Sequence, residues 1–153
     1  MKPLVSVVVP FFNEEDNVAP LAERVAAVFT EMPDYEYECL FVNDGSRDAT
    51  RARIEAEREK NARVRPIHLV KNRGQSAALV AGVRRAKGDY ILTLDGDLQN
   101  DPCDFPKMLE LLKDHDCVCG YRANRQDNFV RKISSKIGNG ARQRILKDGI
   151  RDA

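Results

Sequence analysis

The sequence predicts an α/β domain, a mostly parallel sheet with helices on both faces. Two observations predict it. Short apolar runs alternate with helical patterns along the chain, the signature of β-α-β units joined by crossovers. The runs end in polar, glycine-bearing segments, and in such sheets ligands gather beyond the carboxyl ends of the strands, near the switch in strand order.

Val5–Val9 reads as the first strand, an unbroken valine-rich run. Ala19–Phe29 places Leu21, Val25, Val28 and Phe29 at helical spacing. Cys39–Val42 is the second strand, and Asp48–Lys60 a charged surface helix with Asp48 as its N-cap. Val64–Val70 is the third strand. Gln75–Ala86 is an alanine-rich helix opened by Gly74, and Tyr90–Leu94 the fourth strand. Pro106–Leu112 is a short helix, Asp116–Cys119 a fifth strand, and Phe129–Lys147 a last helix.

The 153 residues suit a single domain, residues 1–153, with a core of its own. A net charge of +1 gives no general case for a polyanionic partner. No apolar run approaches the roughly 18 residues that span a bilayer. Met1-Lys2-Pro3 runs straight into a strand, so no signal peptide is expected. Arg151-Asp152-Ala153 reads as a cut rather than an ending. The four cysteines, at 39, 103, 117 and 119, lack zinc spacing. Cys117 and Cys119 alternate within an apolar run and are expected as small core residues on one strand face. His68 reads as structural and His115 as a loop residue. The expected compartment is the reducing cytoplasm.

The strongest chemical signal is Leu94-Asp95-Gly96-Asp97 at the end of the fourth strand. Two carboxylates share a small space at low cost only when a cation neutralises them. Oxygen ligands at a strand end suit Mg²⁺ or Mn²⁺, which leave positions for phosphate oxygens. Glycine between them permits a turn and close approach of a ligand. Asp-Gly is also ordinary turn chemistry, so the neighbouring loops decide. Pro10-Phe11-Phe12-Asn13-Glu14 follows strand one, Asn43-Asp44-Gly45-Ser46 follows strand two, and Asn72-Arg73-Gly74-Gln75 follows strand three. Four such loops converging on one sheet edge suit a nucleotide.

These loops also carry a resemblance. Val7-Val8-Val9-Pro10-Phe11-Phe12-Asn13-Glu14 resembles the V-V-(I/V)-P-x-x-N-E opening of family 2 glycosyltransferases. Asn43-Asp44-Gly45-Ser46-Arg47-Asp48 is similar to their (D/N)-D-G-S-x-D loop, and Asn72–Ala78 to their N-x-G-x-x-A segment. Asp95-Gly96-Asp97-Leu98-Gln99-Asn100-Asp101-Pro102 resembles the D-x-D-L-Q-x-x-P form of the branch that charges polyprenyl phosphates. That branch holds dolichol-phosphate mannosyltransferases, bactoprenol glucosyltransferases and undecaprenyl-phosphate aminoarabinose transferases. The resemblance implies the GT-A fold, Rossmann-like, and an inverting transfer from a nucleoside-diphosphate sugar to a polyprenyl phosphate. A UDP-sugar is the favoured donor, with GDP-mannose as the alternative.

By resemblance, Pro10, Phe11 and Glu14 border the nucleoside and Asp44 hydrogen-bonds the base. Gly74 and Ala78 let the helix after strand three approach the nucleotide. Asp95 lines the ribose–diphosphate side, and Asp97 and Gln99, with Asp95, hold Mg²⁺ or Mn²⁺. Asp95, Asp97 and Arg122 form the catalytic set. Arg122, Arg125, Arg131 and Lys132 position the acceptor phosphate. The chain departs from the branch at Asn43, often Asp there, and at Gly96, often another residue. The branch's acceptor-side D-x-G-C motif and its membrane helices are not in this sequence.

Arg122–Lys147 holds eight Lys or Arg and one acid, Asp127. Val130, Ile133, Ile137, Ala141 and Ile145 make an apolar stripe within it. It reads as a surface helix packed on the sheet, or as an interfacial helix at an anionic membrane. Without aromatic interleaving, nucleic acid is not an expected partner. The expected location is peripheral to the cytoplasmic face of the membrane, with the full-length protein membrane-anchored. Two other functions stay open: transfer to a sugar hydroxyl, and a nucleotide-sugar-binding module without transfer. The oligomeric state is not legible in the sequence.

Overall fold

The computed structural model describes residues 1–120. Met1–Asp114 form one compact unit, and His115 begins a second. The first unit contains four strands: β1 (Leu4–Phe11), β2 (Glu36–Asn43), β3 (Val64–His68) and β4 (Tyr90–Thr93). Its helices are α1 (Val18–Thr30), α2 (Thr50–Lys60), α3 (Gln75–Val83) and α4 (Phe105–Leu111), the last entered through a 3₁₀ turn at Pro102–Asp104.

All pairings are parallel, in the order β3-β2-β1-β4. β1 is central and covered on both faces, which is why its run is apolar, Ser6 apart, rather than alternating. Val5, Val7, Val9 and Phe11 join the larger core, with Leu21, Val25 and Phe29 of α1, Ile54 of α2 and Phe105 and Leu109 of α4. Val8 faces the other way and packs with Leu40, Val42 and Ala78 of α3. The chain builds outward from β1 to β2 and β3, then crosses back to place β4 on β1's other side. The order therefore reverses between β1 and β4, and this brings Pro10 and Phe11 beside Asp95–Asp97.

Several boundaries shift for identifiable reasons. α2 begins at Thr50, so Asp48 precedes the helix, yet its Oδ1 still accepts the Thr50 N–H at 3.0 Å. α3 ends at Val83, before the expected Ala86, and the turn that follows delivers two backbone N–H groups to a buried polar cluster. There Ser6 Oγ donates to Glu38 Oε1 at 2.7 Å. Glu38 Oε1 also accepts the Lys87 N–H at 2.8 Å, and Ser6 Oγ accepts the Gly88 N–H at 2.8 Å. Arg65 pairs with the second Glu38 oxygen. This cluster at the amino end of the sheet ties the α3–β4 connection to β1, β2 and β3.

Burial pushes the Glu38 carboxyl up, but the hydrogen bonds from Ser6, the Lys87 N–H and Arg65, with the charge of Arg65, outweigh it. The carboxyl is held below its ordinary value of 4.5. Its stabilising contribution is therefore present above that value and is lost as pH falls through the lowered one. The midpoint of thermal unfolding is expected to drop below about pH 4.5, and Glu38→Gln to drop less over the same range. An equally steep decline in the variant would remove Glu38 from this role.

The expected fifth strand is absent. Residues 116–120 have no regular structure, and Cys117 and Cys119 are exposed rather than in a core. A run of four residues becomes a strand only where a neighbour completes its hydrogen bonds, and no described strand does. Cys39 is buried, and desolvation, with Glu38 adjacent, pushes its thiol up to about 12, leaving it an inert core residue. His68 is structural as expected: its Nε2 lies 2.7 Å from Glu55 Oε1. The expected helix Phe129–Lys147 lies outside the described residues.

Candidate active site

Beyond the carboxyl ends of the strands lies an open cleft of about 500 Å³. Pro10, Phe11, Glu14, Asp44, Gly74, Asp95, Gly96 and Asp97 line it together, along with Phe12, Asn72 and Gln75, to which the sequence assigns no role. Ala78 is not on its wall. It is fully buried one turn into α3, against the sheet. Gln99 is exposed and also outside the lining, with its N–H donating to Asp97 Oδ1 at 3.0 Å. Arg122, Arg125, Arg131 and Lys132 lie outside the described residues.

The loops after β1 and β2 are sewn to each other. The Asn13 N–H donates to Ser46 Oγ at 3.0 Å, and the Arg47 N–H to Asn13 Oδ1 at 2.9 Å. The Glu14 N–H donates to the buried Thr50 Oγ1 at 2.9 Å. The Ala49 N–H donates to Glu15 Oε2 at 2.9 Å. Asn13 takes a positive φ of 56° to make its pair of bonds, a conformation asparagine tolerates better than most residues. Much of the polar sequence in these motifs is thus spent on shaping the cleft, and the Glu14 side chain is left at its wall beside Asn17.

Asp44 is nearly fully buried at the end of β2. Its two oxygens accept the Arg73 and Gly74 N–H groups, each at 2.8 Å. The carboxylate therefore clamps the loop that opens α3, and each oxygen retains one lone pair for a ligand. Gly45 makes the clamp possible. At φ 67° it presses on the β3 loop, where a Cβ would lie 2.5 Å from the Asn72 nitrogen.

Asp95 and Asp97 flank Gly96 just past β4. Gly96 lines the cleft and also meets a need inside the protein. A Cβ there would meet the Phe11 ring at 2.7 Å and the Pro10 carbonyl oxygen at 2.8 Å. The glycine lets the acidic turn sit against the protein's own β1. Asp95 is half-buried, with Gln75 Nε2 donating to Oδ1 at 2.7 Å and Asn100 Nδ2 to Oδ2 at 3.2 Å. Asp97 is exposed.

The cleft is electrostatically one-sided. Glu14, Asp44, Asp95 and Asp97 line it, and among the described residues no Lys or Arg does. The described residues hold no group of three or more His, Cys, Asp or Glu placed for a metal. Two carboxylates still fit Mg²⁺ or Mn²⁺, which bind through one or two protein carboxylates and complete their shell with water and phosphate oxygens.

The family model for glycosyl transferase family 2 matches residues 6–153. The chain belongs to this family. This glycosyltransferase chain is 48% identical over 140 residues to the dodecaprenyl-phosphate galacturonate synthase of Rhizobium johnstonii, covering 88% of this chain and 41% of that protein. It is 39% identical over 143 residues to the undecaprenyl-phosphate 4-deoxy-4-formamido-L-arabinose transferase of Aeromonas hydrophila, covering 92% and 44%. The chain thus spans about two fifths of the length of these curated relatives. Among solved structures it resembles Staphylococcus aureus TarS in complex with UDP-GlcNAc, with a TM-score of 0.57 at 20% identity over 84% of this chain and 37% of that one. It also resembles the Pyrobaculum calidifontis mannosyltransferase PcManGT in complex with GDP-Man and Mn²⁺, with a TM-score of 0.56 at 22% identity over 63% and 28%. These likenesses show the GT-A fold for the glycosyltransferase chain. Among its described residues, no helix is long and apolar enough to cross a membrane.

Proposed function

We propose that this family 2 chain forms the donor site of a transferase that moves a sugar from a nucleoside-diphosphate sugar to a polyprenyl phosphate. The observation that carries the donor half is the cleft lined by four carboxylates and, among the described residues, by no Lys or Arg. A diphosphate is repelled from such a surface unless a divalent cation stands between them. Asp97 and Asp95 would hold Mg²⁺ or Mn²⁺, with Gln99 beside them, and the cation would supply the charge that stabilises the departing diphosphate. Pro10, Phe11 and Phe12 give the apolar wall for a base, and Glu14 and Asp44 the acceptors for base or ribose N–H and O–H groups. PcManGT, of the same fold, was solved with GDP-Man and Mn²⁺, which supports this arrangement.

The acceptor half rests on the polyprenyl-phosphate enzymes among the relatives. A phosphomonoester has a second pKa of about 6, so it is largely dianionic at neutral pH and needs no strong general base. Among the described residues no histidine lines the cleft. Arg122, Arg125, Arg131 and Lys132 are the cations proposed to receive its phosphate. The protein would then work at the cytoplasmic surface of a membrane, where its acceptor is embedded.

The test is a transfer assay with labelled UDP-sugars and GDP-mannose, offering polyprenyl phosphate in anionic vesicles and, separately, soluble sugar acceptors. Label is expected to enter the lipid phosphate fraction only when a divalent cation is present. Entry into a soluble sugar alone would replace this reading by hydroxyl transfer, and donor binding without any transfer would leave a binding module.

A further inference from the structure

Gln75 stands where the two halves of the cleft meet. One half is the clamp, in which Asp44 accepts the Arg73 and Gly74 N–H groups. The other is the acidic turn after β4. Gln75 is the next residue after Gly74 and the first of α3, and its side chain leaves the helix to donate to Asp95 Oδ1 at 2.7 Å. Asn100 donates to the other oxygen at 3.2 Å.

A carboxylate with a donor on each oxygen has its plane fixed, and its remaining lone pairs point in set directions. Both donors here are neutral amides. They orient Asp95 without cancelling its charge, as an Arg or Lys in their place would. Donors behind a carboxylate ligand act in this way on metal sites generally, and losing one typically weakens metal affinity by about 10–100-fold. Gln75 is exposed, so packing does not hold its side chain in this pose, and ordering it costs rotamer freedom. The bond to Asp95 supplies the reason for the pose.

We propose that Gln75 is a positioning residue that orients Asp95 for the divalent cation and couples cation binding to nucleotide binding, an inference that rests on the metal–diphosphate reading above. A nucleotide contact at Asp44 bears on the Arg73–Gly74 backbone, and Gln75 carries any displacement of that backbone to Asp95. Coupling of this kind is reciprocal: each ligand strengthens the other by the same factor.

The experiment measures UDP affinity with and without Mn²⁺ by calorimetry, and takes the ratio of the two dissociation constants. Gln75→Met keeps length and helix propensity while removing the amide. It is expected to lower the ratio at least threefold, and to lower the gain in Mn²⁺ affinity produced by UDP, read from the paramagnetic resonance of unbound Mn²⁺, by the same factor. A merely structural loss would weaken both UDP affinities and leave the ratio intact, which overturns the proposal. In an Asp95→Asn background, Gln75→Met is expected to change the ratio no further, and a further drop there also overturns it. A wild-type ratio of one overturns the metal–diphosphate reading itself, and the proposal with it.

Discussion

Asp97→Asn is expected to abolish the strengthening of UDP or GDP binding by Mn²⁺ while leaving the fold intact. Asp97 is exposed, and its one described bond is from the Gln99 N–H within its own turn. Asparagine keeps an oxygen for that N–H, so the turn is retained. What disappears is one of the four negative charges that line the cleft among the described residues. If Mn²⁺ tightens nucleotide binding tenfold in the wild type, about 1.4 kcal/mol of binding free energy is at stake. Calorimetry with and without metal reads it, and circular dichroism confirms the fold. Persistence of the metal effect in the variant would move the cation away from Asp97.

Asp44→Ala should act on the protein and the ligand together. It leaves the Arg73 and Gly74 N–H groups without their acceptor and loosens the start of α3. A hydrogen bond to a charged group is worth about 1.5–3 kcal/mol, so the variant is expected to lose a few kcal/mol of stability. Nucleotide affinity should fall by about 1–3 kcal/mol as well. Asp44→Asn separates these effects, because one side-chain oxygen survives to hold one of the two N–H groups. It is expected to fold nearly as well as wild type and still bind nucleotide poorly. Denaturant titration and calorimetry on both variants check this, and wild-type affinity in Asp44→Asn would restrict Asp44 to the clamp.

Much of this architecture was legible before any coordinates. β1, β2, α1 and α4 emerge within a few residues of their expected spans because apolar periodicity reports burial directly. The convergence of Glu14, Asp44, Gly74 and Asp95 on one cleft followed from topology, since parallel strands deliver their following loops to the same edge. Other features were not legible. Ser46 and Asn13 read as polar loop residues and Thr50 as part of a surface helix, but their partners lie in another loop, and only the register of β1 against β2 brings them together. Gln75 and Asn100 carried no signal as a pair, because the geometry that points both at Asp95 depends on where α3 starts. The sequence does not show that Gly96 must also make room for Phe11 of β1. The Asp116–Cys119 run shows the limit of alternation as evidence: it proposes a strand and says nothing about whether a ladder awaits it.

The bonds that join the loops after β1 and β2 link residues 33–36 positions apart, and the Asp44 clamp spans 29–30. Contacts at such short chain separation close early, since the entropy of closing a loop grows with its length. On a ribosome, the nucleoside wall needs only the first β-α-β unit and the start of α3 to take shape. The acidic turn must wait for β4, which inserts beside β1 after β2 and β3 have been placed on its other side. Chain order thus leads us to expect the wall that carries Glu14 and Asp44 to take shape before the turn that carries Asp95 and Asp97.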